Sequence, residues 1–232
     1  MTLNLVSNSG LEGNKGSKTI STIGAGGVGN ANFTNTATGT YSDSEINYKY
    51  ISFLSNQTLE IDQEGLADIL VVGGGGGGYA GDDEQMGGSS GLAIYIPKIF
   101  LPLGSHSVTV GSGGGTSTDG GPSSLNIGYW NFVAGGGRGA RVYGSSQNLT
   151  WHGGNGGYTV RFDVSTGFAY PAGAAGTRDG NGLTSSITGT SVLYSPAVAW
   201  NAGAAPANTG RGGDGNANRT GADGIVVIRV QI

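Results

Sequence analysis

The chain has 232 residues, with 49 glycines, no cysteine, 36% apolar and 11% charged residues, and a formal net charge of −4. Glycine far above its usual ~7% without a Gly-X-Y period excludes collagen, and glycine runs set between apolar strands exclude charge-driven disorder. Eleven Lys and Arg form no basic stripe, which argues against nucleic acid, and the lack of cysteine removes disulfides, thiolate metal sites and cysteine nucleophiles.

Residues 1–45 are rich in Asn, Ser, Thr and Gly and read as an arm or attachment segment, with short strands at Ser17 to Ile23 and around Asn32 to Thr36. The start, MTLNLVSNSG, has neither the cationic nor the apolar region of a signal peptide, and no apolar run is long enough to span a bilayer. The expectation is a chain used without Sec export and without membrane insertion. Residues 46–232 then read as one glycine-rich domain.

Alternation from Tyr48 to Ser55 and from Thr58 to Ile61 predicts two strands joined near Ser55-Asn56-Gln57. Ile69 to Val72 is an apolar run without alternation, the pattern of a strand covered on both faces. It runs directly into six glycines, Gly73 to Gly78. Six glycines have nothing to pack as a strand and are costly in a helix, but they let backbones approach. As an extended left-handed segment with three residues per turn they would lack internal hydrogen bonds, so their N–H and C=O groups require neighbouring segments. Substituting Gly75 and Gly76 by Ala is therefore expected to destabilise the fold.

An acidic turn, Asp82-Asp83-Glu84, follows; then come a strand from Leu92 to Ile96 stopped by Pro97, a turn at Leu101 to Gly104, and a strand from His106 to Val110. Short strands at Ser124 to Ile127 and Asn131 to Ala134 each enter glycine. Glycine clusters lie at Gly111 to Gly115, Gly135 to Gly139, Gly153 to Gly157 and Gly210 to Gly215. From Tyr143 to Thr209 there is little strand pattern beyond Tyr158 to Val164 and Ser191 to Tyr194, and Ile225 to Val230 closes the chain. No stretch has helical periodicity. The expected fold is all-β, a sandwich of about eight short strands. Its expected core is Ile69, Leu70, Val71, Val72, Ile94, Ile96, Val108, Val110, Ile225, Val226, Val227 and Ile228.

Chemistry-bearing motifs are weak. Gly24 to Gly29 satisfies GxGxxG, but NANFTNTATGT cannot supply the helix that would hold a pyrophosphate, and no glycine loop is followed by Lys-Ser/Thr. Asp214, Asn216 and Asn218 imitate the start of a calcium loop, yet Arg219 stands at the glycine position and Ile225 where the bidentate Glu belongs, so turn chemistry is the better reading. Asp82, Asp83 and Glu84 read as a solvated loop before an ion site. His106 and His152 have no triad or metal spacing, and no carboxylates are paired. No catalytic, cofactor or metal residues are assigned, and the chain is expected not to be an enzyme. Trp151, Tyr158, Phe168, Tyr170, Tyr194 and Trp200 have two readings that remain open: flat rings stacking on sugars or on a partner, or rings covering glycine backbone.

The succession ADILVVGGGGGG, GSHSVTVGSGGG, GGPSSLNIG, FVAGGGRG, GGNGG and GADGIVVIRV resembles the glycine-rich domain of bacteriophage tail fibres and related virion adhesins, over roughly residues 48–232. WNAGAAPANT, from Trp200 to Thr209, departs from that pattern. The resemblance implies a jelly-roll-like β-sandwich from which glycine loops emerge packed as polyglycine II-type segments. It also implies a virion structural protein, assembled in the host cytoplasm, that displays receptor-binding loops as a tail-fibre adhesin. A capsid decoration, knob or other purely structural virion part is the alternative, and a bacterial surface protein a further one. The partners expected are other virion proteins through the N-terminal arm, a host cell-surface glycan or outer-membrane protein, and further copies of the chain in a trimer. The residues expected at the receptor are Trp151, Tyr158, Tyr170, Tyr194 and Trp200, with Asp82, Asp83 and Glu84 beside them.

Overall fold

The computed structural model describes residues 28–80, 85–128, 130–143, 150–152, 158–163, 168–174, 182–198, 203–216 and 219–232; at 80, 85–86 and between 141 and 174 it describes the backbone alone. The described residues form strands, turns and extended segments and no helix. The first strands are β1 (Asn32–Phe33), β2 (Gly39–Asp43), β3 (Ile46–Phe53), β4 (Gln57–Gln63), β5 (Gly65–Val72), β6 (Tyr79–Ala80) and β7 (Gln85–Met86). There follow β8 (Ala93–Leu101), β9 (Gly104–Thr109), β10 (Ser123–Ile127), β11 (Trp130–Ala134), β12 (Arg141–Tyr143) and β13 (Thr150–His152). The last are β14 (Tyr158–Asp163), β15 (Phe168–Ala174), β16 (Leu183–Ser185), β17 (Val192–Tyr194) and β18 (Ile225–Gln231).

Two sheets stack. One has the order β1-β4-β9-β10-β11 and the other β15-β14-β8-β5-β18-β3-β2. Alternation decides the inner face: β4 buries Leu59 and Ile61 while Thr58 and Asp62 face water. Leu59, Ile61, Val108, Leu125 and Ile127 of the first sheet meet Ile51, Phe53, Ile69, Val71, Ile96, Val226 and Ile228 of the second in one core. Each such side chain contributes about 1.5–3 kcal/mol when fully buried. The expected residues Ile94 and Val110 only line this core, half-buried.

β5 and β18 show no alternation because the outer face of their sheet is covered as well. Leu70, Val72, Ile225 and Val227 pack there beneath Ile187 and Tyr194, carried by the segment around β16 and β17. The two sheets hold twelve strands against about eight expected; β2 (Gly39–Asp43) and β15 (Phe168–Ala174) are edge strands that the sequence pattern did not mark. β3 and β4 are joined at the expected turn, but they lie in different sheets.

Pro97 does not end its strand. β8 continues to Leu101 through a bulge, in which Ala67 pairs with Ile99 and Ile69 with Ile96, so that Pro97 and Lys98 stand opposite the single residue Asp68. Lys98 takes φ 51° and donates its N–H to Asp68 Oδ1 at 2.8 Å. A proline has no N–H to lose at such a site.

Part of the expected arm belongs to the sandwich. β1 extends one sheet and β2 edges the other, Phe33 is buried in the core, and Asn30 bridges Leu66. The expected strand at Ser17 to Ile23 and residues Gly24 to Gly27 lie outside the described residues.

Candidate functional site

At the end of β5 the side chains stop and the backbone takes over. The six glycines 73–78 are buried, and their partners repeat every third residue. Gly73 and Gly76 donate to Leu92 and Ser89, Gly74 and Gly77 to Gly121 and Thr118, and Gly75 and Gly78 to Ala222 and Arg219, all at 2.7–2.9 Å. In return Gly137 and Ala140 donate to Gly74 and Gly77, Gly114 and Ser117 to Gly75 and Gly78, and Gly213 to Gly76. Six segments therefore surround the central one: 87–92, 111–117, 118–122, 135–140, 209–215 and 219–224.

These six also bond to one another in a closed ring. Gly88 donates to Gly213, Ala222 to Arg211, Gly221 to Gly114, Gly121 to Ser112, Gly120 to Gly137 and Ser89 to Arg138. A Cβ on any of residues 73–78 would overlap a backbone carbonyl of a neighbour: that of Gly135 or Arg138, of Ser112 or Gly115, or of Arg211 or Asp214. Only glycine allows this spacing. Three of the surrounding segments, GGSSGL, TDGGP and RTGADG, are mixed enough in sequence to escape notice as glycine blocks. The cluster Gly153 to Gly157 lies outside the described residues.

The bundle leaves the sandwich beside Val72, whose carbonyl accepts from Ser123 Oγ at 2.6 Å, and ends around Gly78, Ser117, Ala140 and Arg219. Four connections gather at this far end. β6 and β7 pair there, Tyr79 with Met86, and bracket the acidic residues Asp82, Asp83 and Glu84, which lie outside the described residues. The turn at 115–118 and the turn after Asp214 are the second and third. The fourth is β12, which pairs with β13 so that Val142 stands opposite Trp151.

The sequence pattern of the glycine-rich domain matches residues 51–231. The chain belongs to the glycine-rich domain family. Comparison with curated proteins finds no match.

Within this glycine-rich domain the described strands between residues 143 and 185 lie in different sheets. The β12–β13 pair sits at the far end of the bundle, whereas β14 and β15, which carry Tyr158 and Tyr170, extend the larger sheet by parallel pairing with Ile94 and Tyr95 of β8. Tyr194 is a correction: at 3% exposure it belongs to the core over Leu70 and Val72 and cannot touch a receptor. Burial, and secondarily the neighbouring Tyr50, raises its pKa above the usual tyrosine value. Trp200 lies outside the described residues.

Segment 203–209 is held against the bundle. Buried Arg211 and Asp214, three residues apart, hold it: Arg211 donates to Ala204 O at 3.2 Å and Asp214 Oδ2 accepts from Gly203 N at 3.0 Å. Asp214 Oδ1 also accepts from Asn216 N at 3.1 Å, a turn cap in place of the calcium ligand that the spacing imitates. Burial lowers the pKa of Arg211, and the charge of Asp214 works against that shift. His106 is buried with Nε2 2.8 Å from Pro102 O, which fits a structural role.

The arrangement that the sequence hinted at least strongly surrounds Arg229, the one charge in IVVIRV. Its guanidinium pairs with Asp68, donates to Tyr41 Oη at 2.6 Å and lies 4.7 Å from the Tyr48 ring, which stacks on Tyr41. Burial alone would lower its pKa, but the hydrogen bonds with Asp68 and Tyr41 and the Asp68 charge outweigh that and raise it. Together these contacts make a structural clasp on the outer face of the larger sheet.

Proposed function

We propose that this glycine-rich domain is a bacteriophage virion protein, a tail-fibre or receptor-binding adhesin, in which a jelly-roll-like sandwich carries a polyglycine II-type bundle whose far end displays recognition loops. The observation that carries the reading is the closed ring of six segments around a central glycine segment, with four connections gathered at its tip. Partner exchange at every third residue fits three residues per turn, and six residues at about 3.1 Å each give a spacer of about 19 Å. Such a bundle is rigid without a hydrophobic core, because every segment is cross-linked by backbone hydrogen bonds. It costs the tip loops no constraint on their sequence, the division of labour expected where binding residues vary on a fixed scaffold.

Rings, amides and carboxylates on the tip loops suit a host glycan or outer-membrane protein bound weakly and repeatedly, with avidity from many copies in a virion. The test is attachment of the purified protein to a panel of bacterial strains, together with antibody labelling of particles in the electron microscope. Replacing Trp151 and Trp200 by Ala is expected to abolish attachment with little change in melting temperature. A folded double variant that attaches normally, or label distributed over capsids, would replace this reading by a decoration role.

A further inference from the structure

A groove runs along the junction of sandwich and bundle, away from the tip. It is lined by Leu54, Ser55 and Asn56 of the β3–β4 turn, by Val110 to Ser112 where β9 passes into glycine, and by Asp223. Its volume of about 420 Å³ lies within the range of small-molecule sites, roughly 300–1,000 Å³.

Two polar side chains in it are each anchored by one atom and open at the other. Asn56 Oδ1 accepts from Val110 N at 2.8 Å, which settles the amide orientation and leaves Nδ2 as a fixed donor. Asp223 Oδ1 accepts from Gly113 N at 2.7 Å and leaves Oδ2 as a fixed acceptor. Among the described residues neither Asn56 Nδ2, Asp223 Oδ2 nor the Ser112 hydroxyl has a protein partner. Beside them Leu54, 54% exposed on its turn, supplies an apolar surface.

We propose that this groove is a subsite for a neutral sugar. A hydroxyl both donates and accepts, so adjacent hydroxyls on a pyranose can take the Asn56 donor and the Asp223 acceptor together while a C–H face rests on Leu54. Anionic groups are disfavoured, because among the described residues of the lining Asp223 is the one that carries charge and none is Lys or Arg. Both polar groups are held by backbone hydrogen bonds before any ligand arrives, which lowers the ordering cost of binding. The inference rests on the host-surface reading above and gives it a second contact, on the stalk of the molecule in place of its tip.

The experiment is an amide NMR titration of the full chain with methyl glucoside, methyl galactoside and methyl N-acetylglucosaminide, with a neutral dipeptide as comparison. Saturable shifts at Leu54 to Gln57, Val110 to Gly113 and Asp223, with millimolar affinity for at least one sugar, are expected. Asp223→Ala should weaken that binding about tenfold or more, the usual worth of a hydrogen bond to a charged group. Leu54→Ser, at a side chain 54% exposed, should weaken it severalfold. Sugar shifts that are absent or map elsewhere, binding unchanged by Leu54→Ser, or the same shifts with the dipeptide would overturn the proposal. Cell attachment that survives in a Leu54→Ser variant without sugar binding would sink this subsite's role while leaving the adhesin reading in place; sugar binding without attachment would do the reverse.

Discussion

Replacing Gly75 and Gly76 together by alanine attacks the bundle where side chains cannot yield. The new methyl groups would overlap the carbonyls of Arg211 and Arg138, which are backbone and held by the ring. To admit them, segments 209–215 and 135–140 must move out and strain at least four hydrogen bonds that hold them: Gly213 to Gly76, Ala222 to Arg211, Gly137 to Gly74 and Ala140 to Gly77. At a net ~1 kcal/mol each, their loss costs about 4 kcal/mol, and the stiffer unfolded chain returns about 1 kcal/mol. A net loss of about 3 kcal/mol lowers the melting temperature of a chain this size by roughly 6–12 °C. Scanning calorimetry should compare the double variant with Gly135→Ala, where an added Cβ meets nothing within 4 Å and stability should hold or rise slightly. A drop below about 2 °C in the double variant, or an equal drop for Gly135→Ala, would refute close backbone packing as the basis of the bundle.

Other consequences follow from the sandwich. Arg229→Met should cost about 2 kcal/mol in urea denaturation, a value reduced for the partial exposure of the pair, because Asp68 loses its guanidinium; adding Asp68→Leu should recover only part, since Asp68 also caps Lys98 N. Lys98→Gly should leave stability unchanged or slightly higher, whereas Lys98→Val, β-branched at φ 51°, should lower it by about 1–2 kcal/mol, read in the same denaturation assay. Tyr194 holds its proton more tightly folded than unfolded, so its contribution is full below pH 10 and is lost as pH climbs through the raised folded value. Tyr194→Phe should therefore flatten the alkaline fall in melting temperature above pH 10, and an unchanged slope would place that fall on other groups.

Much of the architecture was legible in the chain because its signals are local. The run Ile69 to Val72 has no alternation, and that absence already implied a strand covered on both faces. Six glycines with unpaired backbone already implied neighbours, since buried N–H and C=O groups must be satisfied. The lack of helical period excluded helices, and the failed spacing around Asp214 pointed to a turn. The strands β9, β10, β11 and β18 fall where the short apolar runs between glycine segments placed them, to within a residue or two.

Other features depend on contacts between distant residues, to which local patterns are blind. Pro97 reads as a strand end, yet Asp68, thirty residues away, accepts Lys98 N and turns the break into a bulge. Tyr194 reads as a loop aromatic, and only the outer face of β5 and β18 makes it core. The groove of Asn56 and Asp223 joins a turn to a bundle segment at opposite ends of the domain sequence, so no motif could announce it. The ring of six segments is decided the same way. Glycine by itself permits close approach in many arrangements, and the register in which Gly73 to Gly78 meet six particular neighbours is set by the strands that deliver them.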